Sequence, residues 1–163
     1  MKLILSEEQQ FLKDTAESFA RDKTPTTHFR KLRDDENTKC WDDSIWQEMV
    51  QLGWSGILVP EEFGGSDFGI AGISVIMQEL GKTLTPSPIL ATSVLGVSTI
   101  NLLGSQEQKE KYLPKIVSGD VTTALAIDEG NHHSPFDIEA TATLEGDKWS
   151  LLSLIHISEP TRP

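Results

Sequence analysis

At 163 residues the chain is about one domain's worth, long enough to bury roughly 70% of the surface that it exposes unfolded. Its formal charge of −11 is spread along the chain, which favours solubility and argues against nucleic acid or an anionic membrane surface as a partner. The single cysteine, Cys40, excludes an internal disulfide and a multi-cysteine metal site, and fits a reducing compartment.

The opening "MKLILSEEQQ" reads as neither a secretion signal nor an arginine-rich transit peptide. The uncharged run from Thr83 to Gln106 carries two prolines and many hydroxyls, so it reads as a buried helix, not a membrane span. A cytoplasmic protein is expected.

In chain order, Ser6 with Gln9 forms a capping-box signature, and Phe11, Leu12, Thr15 and Phe19 share one face of a first helix ending near Arg21. The stretch "DKTPTTHFRKLRDDENTKC" is polar and aperiodic apart from Phe29 and Leu32, and predicts a long connection with at most a short helical turn. Asp42 or Asp43 caps a second helix that turns Ile45, Trp46, Met49 and Val50 inward and stops at Gly53.

"SGILVPEEFGGSDFG" invites a dinucleotide-binding reading, but the glycines after the apolar tetrad stand at 64, 65, 69 and 72 and no G-x-G-x-x-G results. Pro60 and two glutamates also sit where a phosphate would need bare backbone donors. Adjacent Glu61 and Glu62 diverge too far for an acid/base pair, so a structural turn is expected. Ile70, Ile73, Ile76, Met77 and Leu80 define a third helix before Gly81. Ser87 and Pro88 start a fourth, uncharged to Leu103 and therefore expected at the centre of a bundle. Ser105 with Gln108 opens a fifth through Leu113 and Ile116, interrupted at Pro114 and ended by Gly119.

From Asp120 the pattern turns extended. "VTTALAID" is rich in β-formers, and Ile138, Ala140, Ala142 and Leu144 alternate with polar residues before a "GDK" turn, predicting a strand, a loop and the first arm of a hairpin. His132 and His133 in the loop point apart in extended backbone and lack a third ligand at metal spacing, so no metal is assigned.

Together, "LSEEQQFLKDTAESFARD", "LGWSGILVPEEFGGSDFG", "VIMQELGKTLTPSP" and "GSQEQKEKYLPKIVSGDVTTALAIDEG" resemble, in order, the amino-terminal part of acyl-CoA dehydrogenases. The resemblance implies a mainly α fold: an amino-terminal α-helical bundle domain over residues 1–119, then the first strands of an incomplete β-barrel domain over 120–151. It implies FAD, removal of two hydrogens from Cα and Cβ of an acyl-CoA substrate, an electron-transfer flavoprotein or similar acceptor, and a homo- or hetero-oligomeric parent, dimer or tetramer. The carboxylate base of the family comes from a carboxy-terminal bundle that this chain lacks, so no catalytic residue is named and the chain by itself is expected to be inactive.

The family's flavin-side segment, commonly ending in a "TEPGAGS"-like run, corresponds here to "LAIDEGNHHS". The resemblance puts Leu125, Ile127 and Asp128 at flavin-contacting positions and Ser134 at the substrate-binding serine. Glu129 keeps the family acid, whereas Asp128 stands where threonine is usual, and an aspartate there opposes the negative charge of reduced flavin. A non-catalytic subunit of a mixed oligomer, or a helical interaction module without cofactor, are the alternatives. Leu84, Ile89 and Leu95 are candidate walls of an acyl cavity and, as apolar residues of a buried helix, core residues first. Finally, Leu152 to Arg162, "LSLIHISEPTR", resembles the translation of a sequencing-library adapter, so residues 152–163 are expected to be a non-native tail on a truncated sequence.

Overall fold

The computed structural model describes residues 4–35, 40–127, 129 and 132–152. It is mostly helical with two short strands and divides into a helical unit through Ala124 and a second unit from Leu125.

Helix α1 spans Glu7–Lys23. Its capping box is formed, with Ser6 Oγ accepting from the Gln9 amide and the Gln9 side chain accepting from the Ser6 amide. The helix runs past the expected stop at Arg21 to just before Pro25, where the ring ends it. Ala16, Phe19 and Ala20 are buried, but Phe11 is 72% exposed and leaves the face to which its spacing assigned it.

The expected connection holds a nine-residue helix instead, α2, Thr26–Asp34. Pro25 sets the backbone entering it, and Phe29 and Leu32, one turn apart, are half-buried. Two apolar residues in a charged segment are a weak periodic signal, and α2 buries none of its residues completely.

Helix α3, Asp43–Gln51, is capped by Asp42, which accepts from the Ser44 amide at 2.8 Å and the Ser44 hydroxyl at 2.7 Å. The Ser44 hydroxyl, then the Ser44 amide and His28, hold the Asp42 carboxyl below the ordinary carboxylate range, against partial burial. Gly53 at φ 77° stops the helix.

Residues 54–68 form the expected structural turn. Its backbone folds on itself, with the amides of Asp67 and Phe68 donating to the carbonyls of Val59 and Ile57 at 3.0 and 2.8 Å. Trp54, Ile57, Val59 and Phe63 are buried, and Glu61 and Glu62 are exposed on a short 3-10 turn. Gly65 is required here, since a Cβ would lie 2.0 Å from the Val59 carbonyl oxygen.

Helix α4, Gly69–Lys82, packs along α1 and buries Ile73, Ile76 and Leu80, while Ile70 is exposed. The next segment is π-helical over Leu90–Gly96 and continues as helix α5, Val97–Leu103. It buries only one face, through Ile89, Thr92, Ser93, Gly96 and Val97. The expectation that it lies at the centre of a bundle is therefore corrected: Leu102 and Leu103 are 81% and 82% exposed. Lack of charge marks a helix that avoids burying ions, but it does not supply neighbours on every side.

Helix α6, Gln106–Val117, has the predicted Ser105/Gln108 box and continues through Pro114 without interruption. The core gathers Phe19, Trp46, Met49, Trp54, Ile76, Leu113 and Ile116 from these elements. Phe19 meets Trp54 edge-to-face at 5.1 Å between centroids.

In the second unit, β1 (Thr141–Glu145) pairs antiparallel with β2 (Lys148–Leu152), with Glu145 opposite Lys148 and Thr141 opposite Leu152. Gly146 at φ 63° makes the two-residue turn. Residues 121–127, where a strand is expected, enter no ladder among the described residues, and pairing begins at Thr141, not Ile138. Asp128 and residues 153–163 of the adapter-like run lie outside the described residues.

Candidate functional site

Hydrogen bonds within the helical unit hold the segment from Val121 to Thr123. The Val121 amide donates to the Lys115 carbonyl at 3.2 Å. Thr92, fully buried in the π-helical turn, donates its hydroxyl to the Thr123 carbonyl at 3.2 Å and accepts from the Thr123 amide at 3.0 Å. Gly96, one turn on, makes this approach possible, because a Cβ there would fall 1.8 Å from Thr123 Oγ1.

In the second unit, Leu125 and Ile127 are each 40% exposed and lie outside any helix or strand. Residues 125–127 make no backbone hydrogen bond to any described residue. Backbone groups without a partner among the described residues, beside half-open apolar side chains, suit the polar rim and flat face of an isoalloxazine ring. Glu129 closes the following loop: its Oε2 accepts from the amides of Glu139 and Ala140 at 2.7 and 2.9 Å. Ser134 begins a turn in which its carbonyl accepts from the Asp137 amide at 3.0 Å. Ser134, the candidate substrate-binding residue, lies between Glu129 and the two amides that its carboxylate accepts from. Asp128, the remaining flavin-contacting candidate, is not among the described residues. Nor do the described residues bring together three or more His, Cys, Asp or Glu side chains able to hold a metal ion.

Of the candidate acyl-cavity residues, Ile89 is part of the core, Leu95 is half-buried, and Leu84 is 58% exposed in a left-handed conformation at φ 57°. They do not line a common cavity among those described below.

Two apolar grooves open on the helical unit. The larger, about 640 Å³, lies between the start of α1, the turn after α3 and the end of α6. Phe11, Leu12, Trp54, Ile57, Phe68 and Val117 form its walls, and Glu7 and Glu8 stand beside them. The smaller, about 360 Å³, is bounded by Ile100, Leu103, Tyr112 and Thr123. Elsewhere on the unit, the buried carboxylate of Glu79 meets the Lys82 ammonium at 2.5 Å, which raises the lysine pKa. Among the described residues no helix is long and apolar enough to cross a membrane.

Sequence reasoning missed Thr92, Gly96 and Thr123. A glycine within an uncharged helical run, four residues after a threonine, was the available signal for a close backbone approach.

A family model for the acyl-CoA dehydrogenase N-terminal domain matches residues 6–120. The chain is 30% identical over 151 residues to the acyl-CoA dehydrogenase FadE12 of Mycobacterium tuberculosis, covering 90% of this chain and 37% of that protein. Among solved structures it resembles an acyl-CoA dehydrogenase from Geobacillus kaustophilus, with a TM-score of 0.75 and 28% identity over 93% of this chain and 39% of that one. A chain in a structure of the electron transferring flavoprotein of Acidaminococcus fermentans matches with a TM-score of 0.72 and 29% identity, covering 93% of this chain and 40% of that one. The chain spans little more than a third of the length of the curated relatives it matches.

Proposed function

The chain belongs to the acyl-CoA dehydrogenase family, and we propose that the protein carrying it catalyses α,β-dehydrogenation of an acyl-CoA thioester. The family match over residues 6–120 carries this reading, and the half-exposed Leu125 and Ile127, without backbone partners among the described residues, support it. When bound, FAD supplies the hydride acceptor for the β-carbon of the substrate. The backbone groups of Leu125 and Ile127 would hold the flavin, and their side chains would exclude water from it. Ser134 orients the CoA part of the thioester, and Glu129 fixes the loop that presents it. No side chain of this chain removes the α-proton.

The acceptor of the electrons is an electron-transfer flavoprotein or a similar protein. We assign its docking to the larger groove, which combines a solvent-open apolar wall, an exposed Phe11 and acidic neighbours suited to a basic-rimmed apolar anchor. Asp128, an acid where the family's threonine is usual, favours a second reading in which the protein is a non-catalytic subunit beside an active relative.

Flavin content and acyl-CoA affinity test the proposal. The protein read from its complete genomic locus is expected to retain FAD, and Ser134→Ala is expected to raise the KM for acyl-CoA without changing flavin content. A protein without flavin, whether alone or with a co-purified relative, contradicts it.

A further inference from the structure

A side-chain hydroxyl that donates to a carbonyl and accepts from the amide of the same residue makes both hydrogen bonds that a partner strand would make to that residue. Thr92 does this to Thr123 from a fully buried position. The segment it holds has no strand neighbour among the described residues, so the hydroxyl takes a place that a ladder would otherwise fill. The local backbone is built around this contact. The π-helical winding from Leu90 to Gly96 widens the helix beside Thr123, and the missing Cβ of Gly96 leaves the space that Thr123 Oγ1 occupies. A β-branched residue with a hydroxyl, an unusual winding and a glycine thus converge on one residue. That residue stands two positions before Leu125.

We propose that Thr92 is a positioning residue: with Gly96 it fixes the backbone of Thr123, two residues before the run that begins at Leu125. Its consequence for the cofactor rests on the reading of Leu125 and Ile127 as flavin-contacting. The fixing of Thr123 does not. Thr92→Val keeps the shape of the side chain and removes both hydrogen bonds, Thr92→Ser keeps the hydroxyl, and Gly96→Ala puts a methyl group into the space of Thr123 Oγ1.

The first measurement is amide hydrogen exchange, residue by residue, on the 163-residue chain. Thr92→Val is expected to speed exchange at the Thr123 amide about tenfold or more relative to amides of α1 and α4, as loss of a buried hydrogen-bonded pair would do. Thr92→Ser is expected to restore most of the protection, and Gly96→Ala to reproduce the valine effect. Uniform acceleration across all helices, no change at Thr123, or failure of serine to rescue would overturn the proposal. Should valine prevent folding, the serine and alanine variants carry the same contrast.

The second measurement is the visible spectrum of bound flavin in the whole protein. A shift with valine and its reversal with serine support the link to the cofactor. Exchange that responds as expected beside an unchanged spectrum would retain the fixing of Thr123 and refute its consequence for the flavin. Absence of flavin from the unaltered protein would count against the proposed function, while the exchange result stands by itself.

Discussion

Replacing Trp54 by alanine removes the largest fully buried side chain of the helical unit. Trp54 is 1% exposed and meets Phe19 of α1 edge-to-face, so its loss opens a cavity between that helix and the turn after α3. Truncating a buried aromatic to alanine costs about 3–5 kcal/mol, including the ring pair. A domain of this size is stable by about 5–15 kcal/mol, so the change removes about a fifth or more of the total. With a urea slope of about 1.5–2 kcal/mol per molar, the unfolding midpoint should fall by roughly 2–3 M. Circular dichroism of the helices is the assay, since tryptophan fluorescence is itself altered. Trp149, in β2 and 66% exposed, is the control, and its replacement by alanine should move the helical transition by less than about 0.5 kcal/mol. A Trp54→Ala loss below about 1 kcal/mol, or equal losses for both tryptophans, would refute the assignment of the core.

Three further outcomes follow from particular contacts. Asp42 has a depressed folded pKa, so its contribution is present above about pH 4 and is lost as pH falls through the folded value. Asp42→Ala should therefore cost about 1 kcal/mol at neutral pH, and urea midpoints of the two proteins should converge in acid. Phe11→Asp, at an exposed position, should leave helical stability unchanged and slow reduction of a protein electron acceptor about fivefold or more, with an artificial dye unaffected. Glu129→Ala releases the amides of Glu139 and Ala140, and protease cleavage between residues 130 and 138 should accelerate while the helical unit stays intact.

Much of the helical unit is legible in the sequence because local chemistry sets it. Ser6 with Gln9, Asp42, Gly53, and Ser105 with Gln108 each satisfy orphan backbone groups within a few residues, and each boundary stands near its signal. What depends on neighbours is harder to read. Helix α2 has only the half-buried Phe29 and Leu32 to mark it, and the exposure of Phe11 and Leu102 depends on tertiary placement that local periodicity does not encode. Pro114 continues its helix, since loss of one internal hydrogen bond is tolerated where Leu113 and Ile116 anchor the same turn.

The site follows the same division. Leu125, Ile127 and Ser134 come from family resemblance, because residues chosen to meet a cofactor through backbone atoms leave little trace in their side chains. Glu129 carries a visible charge, but its partners are the amides of Glu139 and Ala140, ten and eleven residues later, which no short-range pattern predicts. Thr92 and Thr123 are separated by thirty-one residues and meet only because Gly96 lacks a side chain.

The central claim is that this chain supplies the helical domain and the flavin-side segment of an acyl-CoA dehydrogenase. Anaerobic titration of the whole protein, purified with its bound flavin, against a panel of acyl-CoA thioesters tests it most directly. The account predicts that at least one thioester bleaches the flavin and yields the corresponding enoyl-CoA. A flavin that no thioester reduces, or a protein that holds none, would contradict it.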